Sequence, residues 1–149
     1  MIEYRKAAIN DAQCLVQYRK QQLIDEGEVF DKDIDNELFD YFVSSISDSS
    51  LSSWLATDGQ KIVATSGICF YRLPPTSYNP SGKNAYITNM YTLPEYRRQG
   101  IGSQLLQLVI SEARLLNYKV IRLHASDEGK SIYSKAGFKD TGGYMTLRV

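Results

Sequence analysis

The chain has 149 residues, 43% of them hydrophobic and 23% charged, with 17 Lys and Arg against 17 Asp and Glu. This is an ordinary globular composition for one domain spanning 1–149, long enough to hide roughly 68–70% of its unfolded surface. Zero net charge argues against a general nucleic-acid or anionic-membrane binder, no apolar run approaches the ~20 residues of a membrane span, and MIEYRKAAIND lacks the apolar stretch of a secretion signal, so a cytoplasmic protein is expected.

Residues 2–6 read as a short strand. Asn10 and Asp11 offer an N-cap, and Ala12, Leu15, Val16, Arg19 and Leu23 follow at helical spacing. They predict an amphipathic helix over roughly 11–25, ended by Gly27. A second helix is predicted from Asp33 to about Ser47, with Leu38, Tyr41, Phe42 and Ile46 on one face. The Ser-rich SISDSSLSS at 45–53 reads as a loop. WLATDGQKIVATSGICFYRL (54–73) reads as a hairpin turning at Asp58-Gly59. PPTSYNPSGKN (74–84) holds three of the four prolines and must be loop,. AYITNMYTL (85–93) is a strand rich in aromatic and β-branched residues, closed by Pro94.

From Gly100 the period changes. Ile101, Leu105, Leu108, Val109 and Glu112 form one helical stripe, widened by Leu106, Ile110 and Ala113. YKVIRLHA (118–125) is the next strand. Ser126 to about Ala136 is a short helix ended by Gly137, and FKDTGGYMTLRV (138–149) reads as a last hairpin. The resulting order, β-α-α-β-β-β-α-β-α-β-β, predicts an α+β fold: a mixed, mostly antiparallel central sheet flanked by helices. Cys14 and Cys69 lack the close spacing and histidines of a zinc site and read as buried free thiols.

The chemistry concentrates in PEYRRQGIG (94–102). A strand feeding a helix start leaves backbone N–H groups unpartnered, and the helix dipole adds roughly half a positive charge there. Phosphates bind such ends. Gly100 and Gly102 remove the Cβ atoms that would hold a phosphate away, Arg97 and Arg98 add charge, and Ser103 adds a hydroxyl. The spacing is neither that of the P-loop nor that of the dinucleotide fingerprint.

Arg97-x-x-Gly100-x-Gly102 resembles the [QR]-x-x-G-x-[GA] signature of the GCN5-related N-acetyltransferases. SIYSKAGF (131–138) resembles that family's penultimate helix, and the element order is similar from about residue 2 to the C-terminus. The resemblance implies acetyl-CoA as co-substrate, with no metal. It places the pantetheine arm on the exposed backbone of Met90, Tyr91 and Thr92. The pyrophosphate then falls on amides from Arg97 through Arg98, Gln99, Gly100, Ile101 and Gly102 to Ser103. Ser126 stands where many members carry an Asn that contacts the cofactor arm.

Tyr133 occupies the position of the family's general-acid tyrosine, and a phenol pKa near 10 matches a leaving thiolate. The carbonyl polariser is expected to be a backbone N–H of the splayed strand, that of Tyr91. Asn89, read as sharing a face with Ala85, Ile87 and Tyr91, is positioned to orient an amine or water. Glu128, His124 and water relays are the candidate bases. The expected activity is N-acetyl transfer to a small-molecule or peptide amine, without nucleic acid or membrane; a homodimer is left open. DEGEVFDKDIDNE (25–37), with seven acids against one lysine, favours a cationic acceptor or is simply a solvated acidic face,. The alternatives are a CoA-sensing or interaction module of the same fold, or an acyltransferase using another acyl-CoA or an O-acceptor.

Overall fold

A computed structural model describes residues 1–149. The elements are β1 (Ile2–Lys6), a 3-10 turn (Ile9–Asp11), α1 (Ala12–Asp25), α2 (Asp35–Ser47), β2 (Leu51–Asp58), β3 (Lys61–Arg72), β4 (Lys83–Thr92), a second 3-10 turn (Pro94–Tyr96), α3 (Ile101–Leu115), β5 (Val120–Arg122) and α4 (Lys130–Lys135). The sheet runs β1-β2-β3-β4-β5. All neighbours are antiparallel except β4 and β5, which are parallel and joined through α3.

Helices cover both faces. On one, α3 lays Leu106, Val109 and Ile110 on Ile68, Ala85 and Ile87, and Ile101 and Leu105 on Ala56, Val63 and Ala64. On the other, Leu15 and Val16 of α1 and Phe42 of α2 bury Leu51 and Leu55. The helical stripes read from the sequence are those that pack. α1 ends as expected at Gly27 (φ +93), with Glu28 N–H on Leu23 O and Gly27 N–H on Ile24 O, a Schellman closure,. No helix is long and apolar enough to cross a membrane.

Asp11 precedes α1 but does not cap it. Its carboxylate accepts Ala8 N–H at 2.8 Å and a bidentate pair from Arg5 at 2.8 and 2.9 Å, fastening β1 to the helix start. The Ser-rich stretch 45–53 is not one loop. Its first residues finish α2, its last begin β2, and the turn is only residues 48–50. Serines inside the regular elements are accommodated because their hydroxyls find acceptors: Ser47 Oγ on Val43 O, Ser52 Oγ on Glu112, and Ser53 Oγ on Ser66 O at 2.6 Å. The hairpin loop is Gly59-Gln60, between paired Asp58 and Lys61.

Toward the C-terminus the regular structure is shorter than read. β5 keeps only Val120–Arg122, and α4 starts at Lys130. The last hairpin is absent. Gly142 and Gly143 do turn the chain, with φ +59 and +97. No ladder follows, and Tyr144, Met145 and Leu147 are 71%, 96% and 86% exposed. A two-stranded ribbon with no sheet beside it is marginal in water.

Candidate active site

β4 stays paired with β3 but loses its other neighbour partway. Its pairing with β5 covers Asn84–Tyr86 and stops at Arg122. From Ile87 to Thr92 one edge of β4 has no strand beside it. Within this stretch the β3–β4 ladder bulges: Gly67 pairs with Thr88, but Thr65 pairs with Tyr91, so Asn89 and Met90 share Ser66. Asn89 takes φ +56, and its carbonyl accepts Thr65 Oγ1 at 2.9 Å.

The bulge re-phases the strand. Ala85, Ile87 and Met90 pack toward α3, whereas Tyr91 turns to α1, its ring 5.4 Å from that of Tyr18. Asn89 therefore does not share a face with Ala85, Ile87 and Tyr91; strict alternation holds only in an unbroken ladder. The Asn89 side chain is buried. Its Oδ1 receives a long contact from Thr88 Oγ1, and its Nδ2 has no partner within the chain. A buried donor left unpaired costs about 1–3 kcal/mol, and this one lies beside the open edge of β4.

Past Thr92 the chain turns into α3. Arg97 N–H bonds Pro94 O at 3.2 Å. None of the backbone N–H groups from Arg98 to Ser103 has a partner within the chain. Arg98 (φ +62) and Gly100 (φ +80) are left-handed. Alternating helical hands aim successive N–H groups into one concavity that suits an anion, and the α3 dipole points the same way. A Cβ on Gly102 would meet only Ile132 Cδ1 at 3.7 Å and Thr92 Oγ1 at 4.0 Å, so the seat is open from outside.

The adjacent arginines part company. Arg97 folds back, with Nε on Thr92 O at 2.9 Å, Nη2 on Asp25 at 3.1 Å and its guanidinium 5.7 Å from the Tyr91 ring centre. Its amide is thus committed to the turn at Pro94 and its charge to holding α1 against β4, which removes it from the expected phosphate contacts. The side chain of Arg98, which bonds nothing in the chain, is the available cation.

Across the open edge, α4 and the turn that precedes it present Tyr133 and Ser126. Ser126 closes that turn: Gly129 N–H lies 3.1 Å from its carbonyl and 3.2 Å from its Oγ, so the hydroxyl oxygen is already an acceptor. A Cβ on Gly129 would sit 2.8 Å from Tyr133 Cε2; glycine is what lets the ring lie across the turn. Burial raises the Tyr133 hydroxyl above the usual phenol value, and the Glu26 carboxylate and Tyr86 add to the effect. Glu26, at the end of α1, thus acts on Tyr133 from the opposite wall.

Sequence reasoning missed Glu26 and Tyr86. Glu128 is exposed at the α4 turn. His124 receives or donates a hydrogen bond at Tyr86 Oη through Nδ1, with ring centres 5.7 Å apart. The available signals were Gly27, which ends α1 beside Glu26, and the β4 position of Tyr86 immediately before the splayed stretch.

Residues 15–138 match the model of the acetyltransferase (GNAT) family. The structure is similar to that of a predicted acetyltransferase with acetyl-CoA from Clostridium acetobutylicum, with 42% identity, a TM-score of 0.95, and coverage of 99% of this chain and 96% of that one. It also shares its fold with a GCN5-related N-acetyltransferase from Ralstonia eutropha JMP134 (23% identity, TM-score 0.89, 99% of each chain). Among curated proteins, GCN5-related N-acetyltransferase 6, chloroplastic, of Arabidopsis thaliana is 32% identical over 78 residues, which cover 48% of this chain and 27% of that protein.

Proposed function

The chain belongs to the acetyltransferase (GNAT) family, and we propose that it moves an acetyl group from acetyl-CoA to a primary amine by direct transfer, with both substrates in one cleft. The observation that carries this reading is the run of unpartnered N–H groups from Arg98 to Ser103 beside the open edge of β4. The likeness to the C. acetobutylicum structure, which contains acetyl-CoA, supports it.

Acetyl-CoA supplies the electrophilic thioester carbon and a thiolate leaving group. The chain does the rest. Amides from Arg98 to Ser103 hold the pyrophosphate, with the Arg98 charge beside them. The backbone of Met90, Tyr91 and Thr92 takes the pantetheine arm, and the Tyr91 N–H polarises the thioester carbonyl. Asn89 Nδ2 orients the reacting groups. Tyr133, a phenol protonated at neutral pH and raised further by burial, gives its proton to the departing sulfur,. Glu26, on the facing wall, takes the amine's proton through solvent.

Gly102→Val tests the phosphate seat. Its Cβ meets nothing in the chain closer than Ile132 Cδ1 at 3.7 Å, and the branched methyls beyond it intrude where the pyrophosphate would lie. Calorimetric titration should show acetyl-CoA affinity falling at least ~100-fold while the melting temperature stays near wild type, the combined cost of a displaced charge-assisted contact and a steric clash. Equal affinity in both proteins would overturn the seat.

A further inference from the structure

The buried stripe of α1 ends in a charge. Leu15 and Val16 are each 1% exposed beneath α2 and the sheet. Four and three residues further along the same face stands Arg19, half-buried,. Its one hydrogen bond runs from Nη1 to Gln22 Oε1 at 3.0 Å, and it enters no ion pair.

Below it the sheet offers a row of polar aromatic groups. Cys69 of β3 and Tyr86 of β4 are cross-strand neighbours. Tyr41 of α2 lies with Oη 3.2 Å from Cys69 Sγ. His124 bonds Tyr86, and the Tyr144 ring lies 5.9 Å from His124. No carboxylate belongs to this row. Burial raises Tyr41 to about 12 and lifts Cys69 and Tyr86 as well, while the Arg19 charge pulls all three down. The guanidinium field therefore falls on this wall.

A guanidinium presents a planar fork of donors that suits a carboxylate, and a partly buried cation without a counter-charge is costly. Acids before and after it in sequence are spoken for: Asp11 on Arg5, Asp25 on Arg97, and Asp35 on Lys20. Glu26 reaches Arg19 only through Gln22, whose Nε2 donates to Glu26 at 3.1 Å. One face of α1 thus presents a free cation at Arg19, an amide at Gln22 and a carboxylate at Glu26, the last acting on Tyr133. A polyamine would meet a positive charge here; an amine carrying its own carboxylate meets complementary charge at both ends.

Resting on the acetyl-transfer reading, we infer that the acceptor is a free amino acid or close derivative, its carboxylate on Arg19 and its amine on the Glu26 and Tyr133 side. The acidic 25–37 stretch does not make the pocket select a purely cationic amine, because part of its charge is neutralised in the fold.

The test compares matched pairs, tyrosine with tyramine and arginine with agmatine, together with 2-aminoethyl phosphate. Wild type and Arg19→Gln, which keeps a shorter polar side chain and removes the charge, are both used. Equilibrium binding of each compound by calorimetry needs no turnover; CoA release with acetyl-CoA is read separately. Wild type should bind at least one of the two amino acids about 10–100-fold more tightly than its decarboxylated partner, the range for one charge-assisted pair, and Arg19→Gln should lose that margin with acetyl-CoA affinity unchanged. Equal or tighter binding of the decarboxylated amines, a preference for the phosphate compound, a margin that survives Arg19→Gln, or no amino-acid binding at millimolar concentration would each overturn the assignment. Amino-acid binding with the margin present but no acetyl-CoA binding would leave the Arg19 subsite standing and remove the acetyl-transfer reading instead.

Discussion

A phenol that gives up its proton only as the thiolate leaves contributes to the transition state and not to ground-state binding. Tyr133→Phe keeps the ring packed over Gly129 and removes only the hydroxyl. Its kcat should fall ~10²–10⁴-fold, the range for a general acid, with acetyl-CoA affinity by calorimetry unchanged. A variant that loses affinity and keeps kcat would make the tyrosine a co-substrate contact. Arg98 gives a prediction with two opposite signs. At φ +62 it occupies a conformation that glycine adopts freely,. Arg98→Gly should therefore raise stability by about 0.5–1 kcal/mol, a few degrees in Tm, while acetyl-CoA affinity falls about 10–100-fold. If stability and affinity move in the same direction, the strained turn and the phosphate contact are not the separate features described here.

Among the elements, α3 is fastened to the edge of the sheet through Glu112. Its carboxylate accepts Ser52 Oγ and Trp54 Nε1, both at 2.7 Å, and pairs with Lys6. Burial pushes this carboxyl up, but the hydrogen bonds from Lys6, Ser52 and Trp54 outweigh it and hold the group below its ordinary value of 4.5. A folded-state pKa lower than the unfolded one contributes stability that is complete above the unfolded value and is lost as pH falls through the folded one. Glu112→Gln should cost about 2 kcal/mol near pH 7, and its deficit against wild type should shrink as pH drops below 4.5,. Urea unfolding followed through Trp54, the only tryptophan, reads both. A deficit that is the same at pH 7 and pH 3.5 would show that the ionised form is not what the three donors stabilise.

For the molecule as a whole, direct transfer requires both substrates on the protein together and no acetyl group on the chain itself. The two thiols agree with this. Burial raises Cys14 and Cys69 above the ordinary thiol value, and neither has a base against it: Cys69 faces the Tyr41 hydroxyl. Initial-velocity patterns should intersect, and mass spectrometry during turnover should find neither cysteine acetylated. Parallel lines with a stable acetyl-cysteine would replace direct transfer by a two-step route.

The elements from β1 through α3 were legible because each carries its own periodicity or turn residues: the Leu15–Val16 stripe, the α3 stripe from Ile101, the glycine at 27. The run of unpartnered N–H groups from Arg98 to Ser103 was legible for the same reason, since its glycines and helix start lie within a few consecutive residues. The Ser-rich 45–53 stretch misled because a serine reads as loop until its hydroxyl finds an acceptor, and Ser52 and Ser53 find theirs on α3 and β3. The last hairpin misled in the opposite sense, since its turn formed without a sheet edge to pair with. Tertiary structure alone decided the rest. The bulge at Asn89 requires β3 to slip against β4, which reassigned Asn89 and Tyr91 to other surroundings. Asp25 lies far from Arg97 in sequence and separates it from Arg98. The Glu26 charge reaches Tyr133, and the Arg19 charge reaches Cys69 and Tyr86, only once α1 is laid across the sheet. What local backbone chemistry dictates was therefore written in the sequence; what depends on charges and donors meeting across the cleft was fixed only by packing.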